Sequence, residues 1–279
     1  MAYTRPVIIT GGTINLGYHT ALQIARQHPD WLITISSRSD REHTAESINK
    51  TLGQNNVVFI PLDLSEPKRV RTYAEEWSSK NYPPIQALLL NAALQFTDSG
   101  THDPVMKSGL PDANYTSAEE LARRPPVIAN GPARRHYTNS KLANIMWTYA
   151  LHKRLNQRIP HRGITVNAST QVLCRVQGWR ANIPPLPLCV EQDNASNYAP
   201  PKGGITPNIH KPSESAASLV RLATADDMAG VSGKYFEGRK EISSSKDSYD
   251  EKKQDDLWQW TTKYCAQDEA EATRFEEFK

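Results

Sequence analysis

A chain of 279 residues suffices for one large α/β domain or two smaller ones, and its 33 basic and 30 acidic residues leave a formal charge of +3 with no basic stripe, which gives no sign of a nucleic-acid partner. No apolar run approaches the roughly eighteen residues needed to cross a bilayer, and Met1 to Arg5 leads into an apolar strand and not a signal sequence. The three cysteines, Cys174, Cys189 and Cys265, show no metal spacing, so the composition predicts a cytoplasmic protein with free thiols and no bound metal.

Val7, Ile8 and Ile9 make a short buried strand ending at Thr10, and Gly11-Gly12-Thr13-Ile14-Asn15-Leu16-Gly17 turns the chain into a helix over 18–27. Such a turn can be a simple connection. It can also hold an anion, because glycine lets the backbone approach a ligand and a helix N-terminus presents unpaired amides. A second strand over 31–36 ends in Ser36-Ser37-Arg38, whose arginine either sits in solvent or serves a phosphate. A polar helix over 42–52 leads to a third strand over 56–61, then Asp63-Leu64 and a helix over 67–79, whose preceding turn Asp63 can initiate. A leucine-rich strand over 85–90 runs into Asn91-Ala92-Ala93.

From 101 to 135 the chain reads as loop, punctuated by five prolines (Pro104, Pro111, Pro125, Pro126, Pro132) and one short helix near 117–123. Tyr137-Thr138-Asn139-Ser140-Lys141 then enters an amphipathic helix with Leu142, Ile145, Met146, Tyr149 and Ala150 at three-four spacing. Tyr137 and Lys141 stand one turn apart, where an ammonium favours the phenolate and brings the phenol toward proton exchange near neutral pH. A strand over 163–168 follows, then a polar, proline-rich stretch over about 169–208 without period, expected to be irregular. A helix over 213–223, a last strand over 233–236 and a helix over 249–264 complete the pattern, and the acidic tail over 265–279 is expected to fray.

The glycine turn, the Asn-Ala segment and the Tyr-x-x-x-Lys pair, in this order, resemble the short-chain dehydrogenase/reductase family. Thr101-His102-Asp103, Ser-Lys-Leu-Ala-Asn over 140–144 and the insertion before Tyr137 are similar to its retinol dehydrogenase and protochlorophyllide reductase-like branch and to fungal keto-reductases. The resemblance covers about 7–96, 99–168 and 209–264. It implies a Rossmann-type doubly wound parallel sheet in a single α/β domain over 1–264. It also implies a dinucleotide held by Gly11, Thr13, Asn15, Leu16, Gly17, Ser37, Arg38, Asp63, Leu64, Asn91, Ala92, Ala93, Tyr137 and Lys141. Asp63 would face the adenine, and Arg38 points to NADP(H) over NAD(H). Tyr137 would be the general acid/base, Lys141 would lower its pKa, and Ser99, if more than a loop serine, would polarise a substrate carbonyl.

Three departures bear on these expectations. Asn15 stands where the family has glycine, a mild change because asparagine tolerates left-handed backbone angles. Between Asn91 and Asp98 there is no room for the helix and central strand that the family places there, so the sheet is expected to be incomplete and the usual homo-oligomer doubtful. Ser169-Thr170-Gln171-Val172 replaces a Pro-Gly turn. The expected activity is an NADP(H)-dependent oxidoreductase acting on a ketone, aldehyde or secondary alcohol of a lipid-like or polyketide-like small molecule. The alternative is a catalytically impaired NADP(H)-binding protein or truncated gene product. A nucleotide-sugar epimerase shares Tyr-x-x-x-Lys, but its glycine spacing and longer C-terminal domain are not seen here.

Overall fold

The computed structural model describes residues 3–92, 102–106, 111–123, 133–170 and 211–278. β1 (Pro6–Thr10) is buried at every position. From its end α1 (Asn15–Gln27) crosses to β2 (Leu32–Ser36), α2 (Thr44–Leu52) crosses to β3 (Val57–Phe59), and α3 (Pro67–Ser79) returns the chain to β4 (Ala87–Leu89) on the other side of β1. The strand order is therefore β3-β2-β1-β4, with every pair parallel and Val7 opposite both Ile33 and Ala87. This is the expected doubly wound parallel sheet, and its winding reverses between β1 and β4.

Strand alternation explains the two layers. Val7 and Ile9 of β1 and Ile33 and Ile35 of β2 pack under Ala21, Ile24 and Ala25 of α1 and Ala45 and Ile48 of α2. Ile8 and Leu32 point to the opposite face, against Tyr73 and Trp77 of α3. α3 occupies the expected span, opened by Pro67 in the first helical turn, where a missing N–H costs nothing.

The second half begins with α4 (Ala118–Arg123) and α5 (Ala133–Arg158), followed by β5 (Ala168–Thr170), α6 (Pro212–Thr224), β6 (Tyr235–Glu237), β7 (Lys240–Glu241), α7 (Glu251–Cys265) and α8 (Glu269–Glu277). β5 and β6 pair in parallel, while β6 and β7 form an antiparallel hairpin with Gly238 at φ +58°. Among the described residues this sheet is separate from the first, and the gap falls between β4 and β5, where the short interval after Asn91 predicts a missing strand. α6 ties the halves together. It packs on α1 and β4, sends Val220 into the first core, and its Ser213 carbonyl accepts from Gln23 Nε2 at 2.7 Å.

Two expectations are corrected. The strand expected over 163–168 begins only at Ala168 and runs on to Thr170, into the stretch read as irregular. Residues before it are held outside a ladder by one side-chain and one backbone bond, with Val166 N donating to Ser232 Oγ at 2.9 Å and Gly233 N to Val166 O at 2.7 Å. Residues 171–210, including Cys174 and Cys189, lie outside the described residues. The acidic tail does not fray: it forms α8, capped by Asp268, whose Oδ1 accepts from Glu271 N at 2.7 Å. Its acids suit that place, since Glu269 and Glu271 sit in the first turn, where the helix dipole favours negative charge. Arg71 of α3 and Trp258 of α7 then bind Glu271 and Glu276.

Candidate functional site

The glycine turn after β1 is shaped by close contacts that leave no room for side chains. A Cβ on Gly17 would overlap the Gly11 carbonyl oxygen, and one on Gly11 would fall 2.9 Å from Ala92 Cα and 3.2 Å from Asn91 Nδ2. Gly11 stands at φ +65° and Asn15 at φ +48°, so the chain needs left-handed backbone where the family has glycine. Asn91 fastens the turn from below, its Nδ2 donating to Thr10 O at 3.1 Å and Gly11 O at 3.3 Å. Thr10 completes this seam: its hydroxyl accepts from Ala92 N at 3.0 Å and donates to Leu89 O at 3.3 Å. Sequence reading treated Thr10 only as the end of a strand. Its place immediately before Gly11 was the available signal.

At the N-cap of α1, Ile14 is exposed and offers no side-chain acceptor to the first helical turn. Those N–H groups and the positive end of the helix dipole lie at the turn and can take an anion. The turn is also tied sideways. Thr13 Oγ1 donates to Ser37 Oγ at 3.2 Å, and Ser37 Oγ donates to Ser39 O at 2.6 Å. Leu62 N donates to Ser37 O at 2.9 Å, which joins the end of β2 to the segment after β3. Arg38 and Asp63, the next residue on each side, are thus neighbours. Asp63 lies below the ordinary carboxylate range because Ser65, first through its amide and then its hydroxyl, and then Arg69 and Arg38 favour its charged form. Leu64 is half exposed beside it. Asp40, near Arg38 in sequence, is used otherwise: its carboxylate caps α2 through Thr44 N and Ala45 N.

The structure therefore gathers Gly11, Thr13, Asn15, Leu16, Gly17, Ser37, Arg38, Asp63, Leu64, Asn91 and Ala92 around the C-terminal ends of β1 to β4, the position where open α/β sheets bind ligands. Ala93 and Ser99 lie outside the described residues.

Tyr137 and Lys141 are on α5, and the one-turn spacing brings them together: Lys141 Nζ lies 5.1 Å from the centre of the Tyr137 ring. Burial pushes the Lys141 ammonium below its ordinary pKa. The opposite face of α5 is fixed by packing. Leu142, Ala143 and Met146 bury against Ala113, Tyr115, Ala118 and Leu257. Asp256 Oδ2 accepts from Tyr115 OH at 2.7 Å and Ala118 N at 2.8 Å, and Asn139 Oδ1 accepts from Asn114 N at 2.8 Å. The pair thus stands on a helix that packs on α7, the 246–249 turn, α4 and β5. His102, ten residues past Ala92, is buried against the Tyr235 ring, with Nε2 accepting from Ser245 N at 3.3 Å. Among the described residues no cluster of His, Cys, Asp and Glu could hold a metal ion, and no helix is long and apolar enough to cross a membrane.

Residues 5–118 match the family model for short chain dehydrogenase. Mouse "Retinol dehydrogenase 12" is 26% identical over 291 residues, covering 91% of this chain and 84% of that protein. Human "Polyprenol dehydrogenase" is 24% identical over 310 residues, covering 91% and 83%. Among solved structures, an NADPH dependent reductase involved in bacilysin biosynthesis superposes with a TM-score of 0.55 at 18% identity, covering 84% of this chain and 98% of that one. With the parallel sheet, the fastened glycine turn and the Asn91 seam, these matches make residues 5–118 similar to the short chain dehydrogenase family.

Proposed function

We propose that the chain is an NADP(H)-dependent oxidoreductase acting on a ketone, aldehyde or secondary alcohol of a lipid-like or polyketide-like small molecule. The observation that carries the reading is the anion-ready hollow: a glycine turn fastened by Asn91, an uncapped helix N-terminus above it, and Arg38 on the neighbouring strand end. These residues fit a dinucleotide, with the α1 amides toward the pyrophosphate and Arg38 toward a 2′-phosphate. When bound, the nicotinamide supplies the hydride chemistry. Of the chain's own residues, the Tyr137 phenol gives a proton to the carbonyl oxygen, or takes one from the alcohol, and the Lys141 ammonium biases that phenol toward the phenolate. Ser99, by the resemblance, donates a hydrogen bond to the same oxygen. Relatives named for retinol and polyprenol support an apolar, lipid-like substrate, and the structural neighbour named as NADPH dependent supports the choice of nucleotide.

The test is NADPH-dependent reduction across a panel of long-chain aldehydes and cyclic ketones, with Tyr137→Phe as the control. A rate left unchanged by Tyr137→Phe would overturn the assignment.

One observation favours a second reading. The nucleotide hollow is built in the first sheet, whereas the Tyr137 helix packs in the half beyond the sheet break. A protein that binds NADPH without turnover fits that arrangement. Reduction of any panel member would exclude it.

A further inference from the structure

Arg69 has no part in the resemblance and lies in the first turn of α3, yet the fold carries it to the same strand ends as Arg38. The Leu62 N to Ser37 O bond of 2.9 Å makes the segments after β2 and β3 neighbours. Asp63 follows Leu62 directly, and Arg69 Nε lies 3.8 Å from Asp63 Oδ2 and 3.4 Å from Glu66 Oε2. Arg69 thus pairs with this carboxylate, Arg38 lies further off but near enough for its charge to be felt there, and both help to hold it charged. Formal charges of Arg38, Arg69, Asp63 and Glu66 sum to zero. A 2′-phosphate brings up to two negative charges beside Asp63, so Arg38 alone would leave an uncompensated anion there. The Arg69 side chain is more than half exposed, and ion pairs of that exposure are weak, so exchanging Asp63 for a phosphate costs little.

We propose that Arg69 is a second arginine of the 2′-phosphate site, sharing with Arg38 the discrimination of NADP(H) from NAD(H), with Asp63 as the counter-ion that it exchanges for the phosphate. The inference rests on the NADP(H) reading above. It assigns Asp63 two tasks, facing the adenine and holding Arg69 in place. Guanidinium geometry suits the role, since two arginines can approach one phosphate from different sides with charge-assisted bonds.

The experiment titrates the full chain with NADPH and with NADH, following binding by nucleotide fluorescence and protein unfolding temperature, for the wild type, Arg38→Gln, Arg69→Gln and Arg69→Lys. The expected result is a wild type that prefers NADPH, an Arg69→Gln that binds NADPH about tenfold more weakly with NADH unchanged, and partial recovery in Arg69→Lys. If Arg69→Gln weakens both nucleotides alike, or leaves their ratio unchanged while Arg38→Gln abolishes the preference, the inference falls and the cofactor reading stands. If the wild type binds neither nucleotide, or binds both equally, the cofactor reading falls and the inference with it.

Discussion

Asn15 shows how a departure from a family pattern can be physically mild. It stands at φ +48°, a backbone that costs most side chains roughly 1 kcal/mol or more and asparagine less. Asn15→Gly should hold or raise the unfolding temperature, whereas Asn15→Val should lower stability by about 1–2 kcal/mol, as read from urea unfolding. The other decisive residue is Tyr137. If its phenol carries the proton, Tyr137→Phe should reduce turnover by roughly a hundredfold or more, as measured by NADPH-dependent reduction. His102 adds a pH dependence. Burial brings its pKa down to about 4 from the ordinary 6.5, so the unfolded chain binds the proton first as pH falls. Its contribution is fully present above pH 6.5 and is lost on the way to pH 4. Between pH 7.5 and 5 the chain should lose about 2 kcal/mol through this group, and His102→Gln should flatten that slope in denaturation curves at the two pH values.

At the scale of elements, α8 is a clamp. Arg71 Nη1 lies 2.5 Å from Glu271 Oε1, and Arg71 Nη2 donates to Cys265 O at 2.9 Å, so one arginine of α3 holds both α8 and the end of α7. The hydrogen bonds from Arg71 first, and then from the Gln267 amide, hold the Glu271 carboxyl below its ordinary range. A depressed folded pKa gives stability above the unfolded carboxylate pKa that is lost as pH falls through the folded one. Glu271→Gln should therefore expose residues 266–279 to limited proteolysis at neutral pH and remove the acid-induced onset of that cleavage. The tail's composition alone suggested fraying because its partner is 200 positions away in the chain. Short apolar runs and proline punctuation were enough to read β1 through α3. The Arg38–Asp63 neighbourhood was not legible, because it depends on a backbone bond between the segments that follow two strands.

For the whole molecule, the short interval after Asn91 goes with a first sheet that, among the described residues, ends at β4. Among the described residues the outer side of β4 pairs with no strand, and Leu88 and Leu90 are 55% and 72% exposed. An open edge with exposed leucines is an association hazard. Leu88→Lys or Leu90→Lys should reduce light scattering on heating while leaving the unfolding midpoint within about 1 kcal/mol in free-energy terms, since neither side chain is buried. Among the described residues, the two halves are joined by α6 against α1 and β4 and by the Arg71 clamp, with no strand pairing between the two sheets.

The sequence by itself determined the local alphabet of this protein: which runs form strands, where glycine turns the chain, that Tyr137 and Lys141 share a helix face, and that the interval after β4 is short. Those properties follow from period, backbone freedom and chain length, all of which act over a few residues. Tertiary structure alone decided that Thr10 and Asn91 fasten the glycine turn, that Arg38, Asp63 and Arg69 meet, that the acidic tail is a docked helix, and that Tyr137 stands in the half beyond the sheet break. Each of these joins residues far apart in the chain through hydrogen bonds and charge, whose partners only the folded chain brings within reach.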